Sequence, residues 1–193
     1  SADGIVAPLR TIEGIDTFGD FISGGGGNDT ALFDKDFADY SIDFYNLTGS
    51  TTDGILRIED RDPGGEGVDD MLVVNGVVDV ENLSFGDGTY NLVFELGEPD
   101  LVGTDGDDVI FVGEGNVNIS GGLGDDIFII DDTAGDIVFN DYDAEDQLVF
   151  NDDSVSSFEF VDGVTVNAGV HQISFSGSGL TAQQIYDELT DAG

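Results

Sequence analysis

Hydrophobic and polar residues alternate along most of this chain in short runs, each closed by Gly, Asp or Pro. ADYSIDFYNL, GILRIED, MLVVNGVVDV and LSFGDGTYNLVFEL follow one another between residues 38 and 96, and SSFEFVDG, VTVNAG and HQISFSG between residues 156 and 177. A period of two with turn residues between the runs predicts antiparallel strands in a meander or sandwich, with hairpins at Thr48 to Gly54 and at Gly86 to Gly88. The last segment changes period. Thr181 and Gln184 form a capping-box pair that opens AQQIYDELT, with Ile185 and Leu189 on one face, and this predicts one short C-terminal helix.

Between Gly103 and Ile129 the pattern is different again: cut into nines it reads GTDGDDVIF, VGEGNVNIS, GGLGDDIFI. The first and third copies fit the nonapeptide G-G-x-G-x-D-x-U-x, where U is a large apolar residue, a pattern that binds calcium. Glycines let the backbone turn with its carbonyls pointing inward, Asp adds a short carboxylate, and x-U-x makes a brief strand with one side chain inside. Two nonapeptides close one coil, so Asp108 and Asp126 should stack on the same edge and share an ion. The Asp-x-U element continues with a stretched period at Asp136 and Asp146, and the ladder on the first edge is expected to reach Asp146. Val117 stands where another Asp was due, which blunts the opposite edge.

Two further stretches carry the pattern. GGGGNDTAL (Gly24 to Leu32) places Asp29 in the ligand position, nine residues after Asp20. Gly64 to Leu72 places Asp69 there with Met71 at U, but it has no partner eighteen residues away, and a plain acidic turn explains it equally well. Glu98-Pro99-Asp100 marks a boundary, dividing the chain into residues 1–98 (nonapeptide turns plus an antiparallel segment) and residues 99–193 (repeats, a β cap and the helix). Each block can cover the open end of its coil with its own β tail.

Composition sharpens this picture. Of the 193 residues, 42 are acidic and four basic (Arg10, Lys35, Arg57, Arg61), for a net charge of −38. The acids are 32 Asp and 10 Glu, a bias toward the short arm that chelating turns use. Without a basic patch to displace counterions from phosphate, nucleic acid is excluded as a partner, and anionic membranes with it. Self-repulsion of this size opposes the compact state until cations neutralise it, so folding should be coupled to metal. A halophilic surface is the competing explanation of the charge. There is no Cys, hence no disulfide framework or thiolate site. No run of about 18 apolar residues could span a membrane, and the first residues lack a basic region followed by an apolar run.

GTDGDDVIF, GGLGDDIFI and GGGGNDTAL resemble the repeats-in-toxin family of calcium-binding parallel β-roll proteins, exported by type I secretion in Gram-negative bacteria. ADYSI…GILRIEDRDPGGEGVDD…VENLSFGDGTYNL is similar to a segment that follows such repeats in large secreted proteins and adhesins. GDIVFNDYDAEDQLVF resembles the end of the β-roll in secreted metalloproteases of the family. The resemblance implies carboxylate ligands from Asp108 and Asp126, with Asp29 at the matching position of the first block. It also implies carbonyl ligands from Gly103, Asp105, Gly121 and Leu123, and folding outside the cell after passage through the channel unfolded. Repeats are few and imperfect here, which implies a short roll holding roughly one to four calcium ions.

Other chemistry is poorly served. His171 is the only histidine and lies in an alternating run, which favours a structural or surface role over a triad. Zinc would want more nitrogen or sulfur ligands. Paired carboxylates could run glycoside hydrolysis, but with so many acids some pair falls at a suitable distance by chance. Asp141, Asp143 and Glu145 are spaced like the first ligands of an EF-hand, yet Asp146 sits where that loop needs Gly. Tyr40, Tyr45, Tyr90, Tyr142 and Tyr186 could line a saccharide site, though burial accounts for most of them.

The expected architecture is therefore all-β: a short parallel β-roll flanked by antiparallel, sandwich-like caps, with one helix. The expected role is that of a secreted, non-enzymatic calcium-binding module for adhesion or for matrix and surface assembly. Its partners would be calcium ions and extracellular polysaccharide or cell-surface components. Two alternatives remain: the calcium-dependent secretion module of a larger protease, lipase or alginate epimerase, and a lectin-like domain bridging sugars through calcium.

Overall fold

A computed structural model of the chain describes residues 21–22, 27–33, 35–46, 53–61, 70–75, 80–94, 99–113, 115–131, 134–150 and 158–191. Among these residues the fold is all-β with one short α-helix. The chain divides into two compact units, residues 1–92 and 93–193.

In the first unit, β1 (Phe21–Ile22) and β2 (Thr30–Leu32) precede the alternating runs, which form β3 (Tyr40–Asn46), β4 (Asp53–Asp60) and β5 (Asp70–Asn75). Strands β3, β4 and β5 make the antiparallel meander that a period of two dictates, with Ile42 opposite Ile58 and Leu56 opposite Leu72. Alternation places Ile42, Leu56 and Ile58 in the core. β6 (Asn82–Ser84) and β7 (Thr89–Phe94) form a hairpin around the Gly86 to Gly88 turn, where Phe85 donates its amide to the Gly88 carbonyl at 2.8 Å. Two pairings were not legible: β1 runs parallel to β5, and β2 runs parallel to β6. Phe33, Phe37, Tyr40 and Phe85 pack together, with the Phe33 and Phe85 rings stacked at 4.8 Å.

The second unit starts in β8 (Asp100–Val102), β9 (Asp108–Val112), β10 (Gly115–Ser120), β11 (Ile127–Ile130), β12 (Ala134–Phe139) and β13 (Gln147–Phe150). Odd and even strands belong to different sheets: β8, β10 and β12 pair in parallel, as do β9, β11 and β13. The chain therefore winds as a coil with two strands per turn. Val109 lies opposite Ile127, which in turn lies opposite Gln147, so the first turn of the coil takes 18 residues and the second 20. The first number is two nonapeptides. The second is the stretched period.

Short strands suffice because both sheets face one core. Ile110, Val112, Ile119, Phe128, Ile130, Ile137 and Phe139 fill it. Val117 belongs to this core at 4% exposure, opposite Ile137. The register thus puts residue 117 inside a strand, whereas Asp108 opens one. β14 (Phe158–Phe160), β15 (Thr165–Ala168) and β16 (His171–Ser174) are antiparallel to one another and continue the β8-β10-β12 sheet, with β16 parallel to β12. The helix α1 (Ala182–Asp191) buries Ile185 and Leu189 in the same core. Its capping box forms as its sequence dictates: the Thr181 amide donates to Gln184 Oε1 at 3.1 Å, and the Gln184 amide to Thr181 Oγ1 at 3.4 Å. No helix among the described residues is long and apolar enough to cross a membrane.

Candidate metal centre

Asp108, Asp126 and Asp146 stack along one edge of the coil, each just before or at the first residue of its strand. The backbone N–H of Asp108 donates to Asp126 Oδ1 at 3.0 Å across 18 residues, and that of Asp126 donates to Asp146 Oδ1 at 3.1 Å across 20. All three are buried, at 0%, 1% and 7% exposure. The carboxylates of Asp108 and Asp146 also stiffen their own turns. Thr104 donates its amide to Asp108 Oδ2 at 2.8 Å, and Asp143 its amide to Asp146 Oδ2 at 2.8 Å.

Electrostatics make this ladder expensive. Burial is the main reason the Asp126 carboxyl is pushed up to about 7; the Asp108 amide opposes the rise, and the charges of Asp146, Asp108 and Asp141 add to it. Burial likewise pushes Asp146 up to about 6, against the amides of Asp143 and Asp126, with the charges of Asp143 and Asp141 adding to it. No Lys or Arg follows Arg61 anywhere in the sequence, so the second unit has none to offer these carboxylates. Buried charge of one sign needs either protons or a cation.

The turns that carry the ladder are built on close backbone approach. A Cβ on Gly121 would collide with Asp126 Oδ2, and Gly122, at φ 109°, lies against the Thr104 carbonyl so closely that no side chain fits. Gly103 packs equally tightly against the Gly121 carbonyl oxygen. Carbonyl and carboxylate oxygens thus crowd the space between stacked turns, a donor set of hard oxygens that fits a hard divalent cation. Among the described residues no three His, Cys, Asp or Glu side chains form a cluster able to hold a metal by themselves. The ladder spaces its carboxylates one strand apart.

The other candidate residues are dispersed. Asp105 and Leu123 lie in the exposed turns, Leu123 at 67% exposure with its amide donating to the Thr104 carbonyl at 3.3 Å. Asp136 is exposed on β12, in the other sheet, and does not join the ladder; its amide donates to Asn116 Oδ1 at 2.9 Å. Asp29 lies in the first unit, before β2. Asp20 and Asp69 fall outside the described residues.

Several residues at this edge were missed. Asp141 accepts the amides of Gly121 at 2.9 Å and Gly122 at 3.3 Å, and Asp107 accepts that of Asp125 at 3.1 Å. Asp107 and Asp125 are themselves 18 residues apart, a spacing that could have found them. Asp141 left only an EF-hand-like spacing as a signal. It serves instead to tie one turn to the next, while Asp143 accepts the Glu145 amide at 2.9 Å.

His171 is buried on β16 with Nδ1 3.0 Å from the Ala134 carbonyl, a contact that requires the proton on Nδ1. Tyr142 is fully buried among Phe128, Phe139 and Phe175 and donates its hydroxyl to the Asp146 carbonyl at 3.1 Å. Tyr40 is buried in the first unit, Tyr90 half-buried beside Phe37 and Phe85, and Tyr186 is 48% exposed near Phe160. The side chain of Tyr45 is outside the described set.

No family model and no curated protein matches the sequence. Among solved structures, the extracellular lipase LipA from Serratia marcescens is similar, with 17% identity over 85% of this chain and 33% of the lipase, at a TM-score of 0.25. The chain spans about a third of that protein's length. At such a TM-score the similarity establishes neither fold nor activity for this chain.

Proposed function

We propose that this chain is a secreted, non-enzymatic calcium-binding module in which the ions act as structural staples and switch on folding. The observation that carries this reading is the ladder itself: three buried carboxylates stacked at 18- and 20-residue intervals in a unit without Lys or Arg. Asp108, Asp126 and Asp146 would hold the ions together with carbonyls of the glycine turns. A bound divalent cation supplies the positive charge that the ladder lacks. The protein side of the arrangement holds three anionic groups in register through main-chain amides and keeps water away from them.

Such a module belongs where calcium is plentiful, outside the cell, and its acidic β surface suits adhesion or the assembly of matrix and surface layers through calcium bridges. Far-UV circular dichroism in EDTA and in calcium tests the folding switch. A gain of β signal on adding calcium is the expected outcome; a fully β spectrum that EDTA leaves unchanged would contradict it.

A further inference from the structure

The two sheets of the second unit differ in what they turn away from their shared core. On β9 and β11 the residues that alternate with Ile110 and Phe128, among them Val109, Phe111, Ile127 and Ile129, are apolar and buried. On β10, β12, β16 and β15 the residues that alternate with Ile119, Ile137, Ile173 and Val166 reach solvent, and Val138 is the one apolar side chain among them.

Register turns these outward residues into rows. Asn118 on β10 lies beside Val138 on β12, Val138 beside Ser174 on β16, and Ser174 beside Thr165 on β15. Neighbours in the row are one strand spacing apart, about 4.8 Å. Gln172 and Asn167 form a second pair on the same face. Side chains are tied laterally between strands: Asn118 Nδ2 donates to Asp100 Oδ1 at 2.9 Å, Asn140 Nδ2 to Ser120 Oγ at 3.2 Å, and Gln172 Nε2 to Asn167 Oδ1 at 3.2 Å. These bonds order the amides before any ligand arrives, which lowers the entropy cost of binding.

Charge is sparse here for a chain with 42 acids. Asp100 and Glu159 lie on the outermost strands of the sheet, β8 and β14, and Asp136 is the one acid between them, while the row from Asn118 to Thr165 carries none. The face has no cation to hold an anionic polymer, which a net charge of −38 repels. What it does offer is groups that both donate and accept hydrogen bonds, as amides and hydroxyls do and an ionised carboxylate does not. Adjacent hydroxyls of a sugar ring call for that combination. A row that repeats at each strand can also meet a repeating chain in several registers, which raises avidity without new contacts.

We infer that the outward face of β10, β12, β16 and β15 is a docking surface for a neutral polysaccharide, held by direct hydrogen bonds with no ion at the contact. The inference takes its extracellular, adhesive setting from the reading above, but its residues lie on the other sheet from the Asp108–Asp126–Asp146 ladder.

The test is native electrophoresis of the full chain in calcium, through gels cast with hydroxyethylcellulose, glucomannan or dextran, and with alginate as the anionic comparison. Asn118→Asp and Gln172→Glu keep the shape of the side chain but replace donors by charge. Gln183→Glu, exposed on α1, adds the same charge outside the face. The expected result is retardation by at least one neutral polymer, weakened about twofold to tenfold in each face variant and unchanged in Gln183→Glu. Circular dichroism and calorimetric calcium uptake equal to those of the unsubstituted chain show that a face variant is folded with its ladder intact; should Asn118→Asp fail this check, Gln172→Glu decides. Retardation by none of the neutral polymers, by alginate alone, or to the same extent in all variants overturns the inference. A chain that takes up no calcium yet is retarded through this face overturns the calcium reading and supports the docking surface.

Discussion

The amide nitrogen of Asp108 lies 3.0 Å from Oδ1 of Asp126, so two acids that repel each other are held in register through the main chain of one of them. The geometry makes the carboxylate a structural acceptor before any ion arrives. It also sets the consequences of altering it.

Replacing Asp126 by Ala should weaken calcium affinity more than replacing Asp69 by Ala, because Asp126 has stacked carboxylates on both sides in the ladder. In calcium, Asp126→Ala should also lower stability by about 1–3 kcal/mol, since the Asp108 amide is left buried without its acceptor. Calorimetry and urea melts measure the two effects, and equal losses of affinity in both variants would contradict the stacking argument.

Stability without calcium should fall as pH rises. Burial pushes Asp126 and Asp146 up to about 7 and about 6 in the folded chain, against 3.8 for an ordinary Asp carboxyl, so between about pH 4 and pH 7 the folded state binds more protons than the unfolded one. Stabilisation by those protons is complete below the unfolded value and is lost as pH passes through 6 and 7. With calcium the direction reverses, because the ion competes with protons for the same oxygens. Urea melts at about pH 5 and about pH 8, in EDTA and in calcium, read this out. Greater stability at the higher pH in EDTA would contradict the burial of these groups.

Gly121→Ala should destabilise by about 1–3 kcal/mol, since its Cβ would press on Asp126 Oδ2 and come within 3.0 Å of the Phe128 ring. Gly163→Ala is the control, because nothing lies within 4 Å of a Cβ at Gly163. Thermal melts in calcium compare them. The same drop in both would show that close approach at Gly121 is not the cause.

Tyr142→Phe should cost about 1 kcal/mol, through loss of its hydrogen bond to the Asp146 carbonyl with the aromatic packing retained. The effect should be present in calcium and in any folded calcium-free state, because the hydroxyl donates to a main-chain carbonyl. Denaturant melts with and without calcium at about pH 5 check this.

Much of this architecture was legible because it is local. The spacing of Asp108 and Asp126 could be read from the nonapeptides, since both halves of a coil lie within 18 contiguous residues, and the longer interval to Asp146 followed from the stretched Asp-x-U period. The meander from Tyr40 to Asn75 came from alternation, and the helix from Thr181 and Gln184. Asp136 shows where the reading stopped: it shares the Asp-x-U pattern yet heads no ladder position, because β12 belongs to the other sheet. Asp141 and Asn116 were missed for a related reason. Their partners are amides of neighbouring turns, and an amide leaves no trace in residue type.

By itself, the sequence determined the period of the coil, the alternation of the strands, the helix cap and the sign of the charge, all of which depend on residues within one or two turns of each other. Only the tertiary structure decided which carboxylates are buried and which segments meet. Asp126 and Asp125 are adjacent and chemically identical, yet one is buried in the ladder and the other exposed in the turn. Glu81 meets Asp29 only after a whole meander has folded between them. Burial and long-range pairing depend on how the sheets close, and no local pattern encodes that.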